Sequence, residues 1–155
     1  MKKEHQYQTQ VQWTGNTGTG TSGYKDYDRS HTISIYGKQE IHCSSDPSFL
    51  GDSSKYNPEE LFVSTIASCH MLWYLHFCAT AGIVVVSYTD NATGVMETES
   101  DGRGHFTEIT LYPLVTVTEE HMVESALELH EKAHEFCFIA NSVNFVVNHK
   151  PKCTV

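Results

Sequence analysis

The chain has 155 residues, 39% of them hydrophobic and 19% charged, and this size and composition predict one globular domain over residues 1–155. Ten basic against nineteen acidic residues give a net charge of -9, which argues against binding to nucleic acid or to anionic membrane surfaces. Residues 2–12 are polar and carry charges of both signs, unlike a secretory signal, so we expect a cytoplasmic protein.

The first third of the chain predicts a small antiparallel sheet. Residues 6–13 alternate between polar and apolar types, which is the two-residue period of a half-buried strand. Further strands are predicted at about 29–36 and 39–43, with a loop rich in Gly, Thr and Ser between the first two. Residues 44–57 lack a period and predict a connecting loop.

A long uncharged stretch follows, because residues 61–86 contain no Asp, Glu, Lys or Arg. A membrane span of this length would be expected to carry basic residues on one flank, whereas an acidic pair precedes this stretch and histidines lie within it. We therefore predict a buried helix from about 58 to 81, with Gly82 as its stop signal.

The predicted helix has a strong start signal. Asn57 is suited to the N-cap, Pro58 to the first helical position, and Glu59 and Glu60 to the positive end of the helix dipole. A helix that is apolar on nearly all faces must be buried on nearly all faces. In a chain this small, a second copy of the protein is the simplest way to cover one side.

The remaining elements complete an α+β pattern. A long strand is predicted at about 83–96, a hairpin turn at 101–104 and a returning strand at about 106–117. Apolar residues at helical spacing predict a second helix at about 119–135, and a final strand is predicted at about 143–148. Runs of strands with two helices indicate an α+β fold without repeats.

The cysteines do not resemble a secreted disulfide framework, because they are odd in number and widely spread. Each is expected to be a free thiol that serves as buried core, metal ligand or reactive nucleophile. The five are Cys43, Cys69, Cys78, Cys137 and Cys153.

Two of these thiols could act together. Cys69 lies in the middle of the first predicted helix, and Cys137 lies near the end of the second in a similarly apolar segment. If both lie where the helices meet, a peroxide can oxidise one thiol to a sulfenic acid and the other can condense with it as a disulfide. This reaction prevents oxidation to the irreversible acids.

A reactive thiol also needs groups that stabilise its thiolate. The chain has only two arginines, and Arg103 is predicted at an exposed hairpin tip, so Arg29 is the better candidate. A carboxylate such as Glu59 could orient this guanidinium and bind the peroxide oxygens.

A rival hypothesis is a metal site. Residues 130–134 match the H-E-x-x-H pattern in which His130 and His134 bind zinc and Glu131 activates water, although no third ligand follows at the expected spacing. Thiolates and imidazoles at Cys69, His70, His76, His134 and Cys137 could also bind a metal and make the protein a binding module.

Residues 57–61 (NPEEL) open the first predicted helix and lead to Ala67-Ser68-Cys69, with Glu59 ten residues before the cysteine. This pattern is similar to the NPE(E/Q)L…(A/S)C helix of the OsmC/Ohr proteins of bacterial peroxide and hydroperoxide defence. Cys137 stands where the second cysteine of that family is expected, and Trp13-Thr14-Gly15 is similar to the family's first strand. The chain therefore resembles this family.

The resemblance implies an organic hydroperoxide reductase in oxidative stress defence. It implies that Cys69 is the peroxidatic thiol, Cys137 the resolving thiol and Glu59 the carboxylate of the site, with Arg29 as the accompanying arginine. It further implies an OsmC-like fold in an intertwined homodimer, with no bound cofactor. An external dithiol, such as a lipoyl protein or a small thiol, would then reopen the disulfide.

Two departures from the family pattern indicate a less typical branch. His70 follows Cys69 where many members have an aromatic residue, and residues 138–140 (FIA) replace a turn that contains proline. A non-catalytic member that binds an apolar ligand at the dimer interface is therefore a further alternative, with an aromatic lining from Trp73, Phe77, Phe136 and Phe138.

Overall fold

The computed structural model describes residues 2–155. The chain divides into two compact units, of which the first ends at Leu61 and the second is Phe62–Val155. The prediction of one domain over 1–155 stays a prediction.

The N-terminal unit contains the predicted antiparallel sheet. Its strands are β1 (Gln10–Trp13), β2 (His31–Ser34) and β3 (Ile41–Cys43), in the order β1-β2-β3. The strands are shorter than predicted. Only Thr32 and Cys43 are buried within them, so the sheet provides few sites for apolar packing.

The long helix α1 (Pro58–Thr80) begins where the sequence predicts. Asn57 Oδ1 accepts a hydrogen bond from the Glu60 backbone N–H at 2.8 Å, and the Asn57 N–H donates to Glu60 Oε2 at 3.2 Å. This reciprocal capping box satisfies two backbone donors and confirms the predicted start.

The end of α1 is also as predicted. Gly82 has a φ of 75°, and Ile83 N donates to the Cys78 carbonyl at 2.9 Å while Gly82 N donates to the Ala79 carbonyl at 3.3 Å. These bonds form a Schellman motif, which needs a left-handed residue that glycine supplies without steric cost.

Only one face of α1 is buried within the chain. The buried side chains recur at helical spacing and are Ile66, His70, Tyr74, Phe77 and Cys78. An opposite stripe is exposed and consists of Thr65, Ser68, Leu72, His76 and Ala79. By length and hydropathy alone α1 could cross a membrane, but its buried face belongs to the core of the second unit. Burial of the opposite face by a second copy of the chain stays a prediction.

The two predicted long strands are each broken in two. The four strands observed are β4 (Val85–Asp90), β5 (Thr93–Thr98), β6 (Gly104–Leu111) and β7 (Pro113–Val117), and β4 pairs with β7 while β5 pairs with β6. The break has a local cause, because Tyr112 N donates to the Asp90 side chain at 2.7 Å and Pro113 has no N–H for the ladder.

The C-terminal segment adds one strand to each of these sheets. The second helix is α2 (Val123–Phe136), preceded by a 3-10 turn at Glu120–Met122 where the sequence predicted α-helix. Strand β8 (Val146–His149) pairs in parallel with β6, and β9 (Lys152–Thr154), which was not predicted, pairs in parallel with β7. The resulting sheets have the orders β4-β7-β9 and β5-β6-β8. The α+β class is confirmed.

Two hydrophobic clusters form the core of the second unit. One contains Tyr74, Phe77 and Cys78 of α1 with residues of β7 and α2. The other contains Ile66 of α1 with Ile109 and Leu111 of β6. The buried face of α1 thus contributes to both clusters.

Replacing Gly82 tests the helix stop. An added Cβ would meet no atom within 4 Å, so Gly82→Ala introduces only backbone strain. We expect it to lower the free energy of unfolding by about 1 kcal/mol, measured by urea denaturation. Gly82→Asn is the matched control and should cost less, because asparagine tolerates the left-handed region better. Equal losses in both variants would contradict this explanation.

Candidate functional site

The second unit brings Cys69 and Cys137 together. Cys69 lies midway along α1, and Cys137 is the C-cap residue directly after α2. The Cys69 thiol is close enough to raise the pKa of the Cys137 thiol, and the Ala140 N–H donates to the Cys137 sulfur at a distance of 3.5 Å. Both cysteines are free thiols. The helix contact required for a shared reaction is therefore present.

The two thiols have unequal environments. Cys137 is 1% exposed, and burial, followed by the hydrogen bond with Cys69, raises the pKa of its thiol to about 11. Such a thiol is almost wholly protonated at neutral pH and is a poor first nucleophile. Cys69 is partly exposed and lines a cavity, so an incoming reagent meets Cys69 first.

The cavity beside Cys69 is large enough for a small organic molecule. Its volume is about 520 Å³, and its lining is mostly apolar. The lining residues are Thr65, Ser68, Cys69, Leu72, Trp73, His76, Phe138 and Ile139. The edge of Phe138 meets Trp73 at a ring distance of 5.3 Å, so aromatic surface lies beside the thiol.

Arg29 and Glu59 belong to the N-terminal unit. The Arg29 guanidinium donates to the backbone carbonyls of Tyr24 and Tyr27 and lies 4.5 Å and 4.2 Å from the centres of their rings. These tyrosines hold the guanidinium, and within residues 2–155 Arg29 forms no ion pair with Glu59. Glu59 Oε2 is buried and has no hydrogen-bond partner among the described residues. Their roles stay predictions.

A cluster of four histidines lies in the interior of the second unit. His70 comes from α1, His130 and His134 from α2, and His149 from β8. His70 Nε2 and His130 Nδ1 are 3.0 Å apart, and the two rings are nearly parallel at 7°. The centre of the His149 ring lies 5.6 Å from that of His70, and the centre of the His134 ring lies 5.3 Å from that of His149.

Burial keeps the central imidazoles neutral. His70 and His130 are 1% and 0% exposed. Desolvation, followed by repulsion from neighbouring histidines, lowers the pKa of His70 to about 4 and that of His130 to about 3. The same causes lower the pKa of His149, although Glu131, 3.6 Å away, opposes the shift.

The histidines are not arranged as a metal site. Within residues 2–155, no group of three or more His, Cys, Asp or Glu side chains has the geometry to hold a metal ion. The H-E-x-x-H match instead supplies one partner of a histidine pair, with Tyr74 stacked 3.9 Å from the His130 ring. Sequence patterns identified His130 and His134 but not their meeting with His70 and His149, because the four come from three distant segments.

The remaining three cysteines have surroundings of their own within each unit. Cys43 is buried in the N-terminal unit, where burial raises the pKa of its thiol. Cys78 is buried in the core of the second unit, and Cys153 lies on β9 beside the same core cluster. The contacts of Cys43 and Cys78 are those of ordinary core residues.

The fold and the paired thiols place the chain in a known class of α+β proteins. The family model described as OsmC-like protein matches residues 51–152. An OsmC-like protein of unknown function from Vibrio cholerae O1 biovar eltor is 33% identical, with a TM-score of 0.82, over 96% of this chain and 99% of that chain. The chain therefore belongs to the OsmC-like protein family.

More distant structures share the fold. An organic hydroperoxide resistance protein from Elizabethkingia anophelis, crystallised with thiocyanate, is 20% identical over 98% of this chain and 99% of that chain, with a TM-score of 0.68. An organic hydroperoxide resistance protein OsmC from Legionella pneumophila is 18% identical over 98% of this chain and 100% of that chain, with a TM-score of 0.64. No curated protein matches this chain.

The buried histidines predict acid-sensitive stability. Because the unfolded chain binds these protons near pH 6.5 and the folded chain only near pH 4 for His70 and pH 3 for His130, acidification favours unfolding across that window. Each histidine should lower the free energy of unfolding by about 1.4 kcal/mol per pH unit below pH 6.5. Urea denaturation at several pH values measures this slope.

The matched variants are His130→Gln and His121→Gln, since His130 is buried and His121 is exposed. We expect the slope to decrease in the His130 variant alone. An unchanged slope in that variant would contradict the assignment.

Proposed function

We propose that this protein is a cysteine-based peroxidase that reduces organic hydroperoxides to alcohols in oxidative stress defence. The observation that carries the proposal is the pair of Cys69, which faces an apolar cavity, and Cys137, which is buried behind it. Membership of the OsmC-like family supports the same activity, because structural neighbours are named organic hydroperoxide resistance proteins.

The proposed reaction has three steps. The Cys69 thiol gives up its proton, and the thiolate attacks the terminal oxygen of R–O–O–H. The O–O bond breaks, Cys69 becomes a sulfenic acid, and the departing R–O⁻ takes up a proton and leaves as R–OH. The Cys137 thiol condenses with this acid, which releases water and forms the Cys69–Cys137 disulfide. An external dithiol, such as a lipoyl protein or a small thiol, then reduces the disulfide and is itself oxidised, so no bound cofactor is needed.

The unequal thiols support this order of events. The raised pKa keeps Cys137 protonated while Cys69 reacts, and the adjacency of the two sulfurs favours rapid closure. The Ala140 N–H at the Cys137 sulfur can stabilise negative charge that develops there during closure. The proposal assigns Glu59 and Arg29 to peroxide binding and thiolate stabilisation, as in the family pattern.

The lining of the cavity supports an organic substrate. Leu72, Trp73, Phe138 and Ile139 offer apolar surface to an alkyl or aryl tail, and hydrogen peroxide has no tail to bury there. An aryl tail would also gain edge or face contacts with the two aromatic rings.

A homodimer is part of the proposal. The exposed stripe of α1 includes Leu72, which is 63% exposed, and Phe138 beside it is 66% exposed. Apolar side chains grouped in this way on a surface favour coverage by a partner, and a second copy of this chain is the partner we propose. The proposed location is the cytoplasm, where reducing conditions keep all five cysteines as thiols.

Steady-state kinetics tests the activity. With a dithiol reductant, we expect kcat/KM for cumene hydroperoxide to exceed that for hydrogen peroxide by about tenfold or more, since burying the ring is worth more than 1.4 kcal/mol. Cys69→Ser should lower the activity on the order of 10³-fold or more, because it removes the nucleophile. Cys153→Ser is the matched control and should retain activity. Equal peroxide consumption by the wild type and Cys69→Ser would refute the proposal.

The Cys137→Ser variant tests the resolving step. Without Cys137, the Cys69 sulfenic acid has no partner thiol beside it and should take up a second oxygen as excess peroxide is added. Mass spectrometry should find the sulfinic acid at Cys69 in this variant and the disulfide in the wild type. Sulfinic acid at equal levels in both proteins would show that Cys137 does not resolve Cys69.

Sedimentation equilibrium tests the homodimer. The chain has a mass of 17.4 kDa, and we expect the reduced protein to sediment with twice that mass at micromolar concentration. Leu72→Glu should shift the protein toward the monomer, because it replaces an exposed apolar side chain of α1 with a charge that the partner would bury. A monomeric wild type at these concentrations would overturn this part of the proposal.

A further inference from the structure

The histidine pair links the two segments that carry the reactive cysteines. His70 is the residue next to Cys69 on α1, and His130 lies on α2, two helical turns before Cys137. The 3.0 Å contact between His70 Nε2 and His130 Nδ1 is a direct polar contact between the helices beside the thiols. A shift of one helix along the other would break this contact and separate the sulfurs.

The contact depends on the protonation of both rings. In the neutral pair, one imidazole donates its N–H to the lone pair of the other. One added proton leaves an N–H···N bond possible but places an unsolvated charge in the core, which favours separation of the helices, and a second makes both nitrogens donors that oppose each other. Since His70 and His130 are 1% and 0% exposed, water is not available to solvate either charge.

The surroundings give an imidazolium little compensation. From α1, Tyr74 stacks on His130 at 3.9 Å, and beyond it Tyr88 and Asp90 come from β4. From β8, His149 faces both rings, and from α2 His134 faces His149. The carboxylate that meets the cluster is Glu131, which is paired at 3.6 Å with His149 and is 79% exposed. A second positive charge at the centre would therefore face further imidazoles.

We propose that His70 and His130 are positioning residues that hold Cys69 against Cys137, and that they do so only while both imidazoles are neutral. The inference rests on the proposed function for its biological meaning, since it makes disulfide closure fail in acid. The geometry itself is independent of the peroxide reaction. A thiol-specific oxidant can therefore test the positioning of the two sulfurs separately.

The experiment measures closure with 4,4'-dithiodipyridine, which reacts with thiols in acidic as well as neutral solution. Cys69 displaces one pyridinethione and becomes a mixed disulfide, and Cys137 then attacks the Cys69 sulfur and displaces the second pyridinethione. Mass spectrometry of acid-quenched peptides gives the rate of the second step from about pH 7.5 to about pH 4.5. The compared proteins are the wild type, the double variant His70→Gln/His130→Gln and the exposed-histidine control His105→Gln.

The glutamines can still bond across the helices but do not titrate. The double variant therefore keeps the pH dependence of the thiol chemistry and of His134 and His149, and lacks only that of the His70–His130 pair. We expect the ratio of the closure rates, wild type divided by double variant, to fall by about tenfold or more between pH 7 and pH 4.5. Separated imidazoles bind protons near pH 6.5, whereas the buried pair binds them only at lower pH, so each pH unit below 6.5 favours the separated helices by about tenfold per histidine. The ratio of His105→Gln to the double variant should fall equally. Parallel pH profiles for the wild type and the double variant would overturn the inference.

A measurement on the wild type alone covers the case in which the double variant does not fold. The imidazole resonances of His70 and His130 are followed by NMR over the same pH range as the closure rate. We expect the excess loss of closure, relative to the pH dependence of a simple dithiol, to follow protonation of these two rings. The inference would be overturned if the closure rate fell below that of a simple dithiol while both rings stayed neutral. It would also be overturned if closure kept its full rate after both rings were protonated.

The outcomes separate this inference from the proposed function. If the protein consumes no hydroperoxide yet shows the expected closure profile, the positioning role stands and the peroxidase proposal fails. If the protein reduces hydroperoxides but its closure rate has the same pH profile as that of the double variant, the peroxidase proposal stands and the positioning role fails. Zinc binding at one equivalent that blocks closure at neutral pH would also count against the inference, because the rings would then be metal ligands.

Discussion

The contact between α1 and the segment that follows α2 is the constraint on which the site depends. Cys69 lies at the edge of the buried face of α1, between the interior stripe that contains His70 and the exposed stripe that contains Leu72. This position lets one thiol meet both a buried partner and an open cavity. A cysteine at Ile66 would be fully buried, and one at Ser68 would be exposed.

Local sequence signals were sufficient to predict this helix. Asn57, Glu60 and Gly82 act through backbone atoms within a few residues of themselves, so their effect can be read from sequence order. The α+β class also followed, because the order of strand and helix patterns could be read along the chain. The nearness of Cys137 to Cys69 depends on the fold bringing distant segments together, and only the family resemblance implied it in advance.

The features that were missed depend on distant contacts. The break between β6 and β7 involves the Asp90 side chain and Tyr112, which are 22 residues apart. Strand β9 is three residues long and is fixed by parallel pairing with β7, which no local pattern indicates. The histidine cluster is assembled from three elements, so a sequence pattern could identify only its pair on α2.

The proposed reaction forms one disulfide, between Cys69 and Cys137, and a single measurement detects it. The reduced protein is treated with one equivalent of cumene hydroperoxide, and its free thiols and peptides are then analysed by mass spectrometry. We expect the loss of two thiols per chain and a crosslink between Cys69 and Cys137. Retention of all five thiols, or a crosslink that omits Cys69, would contradict it.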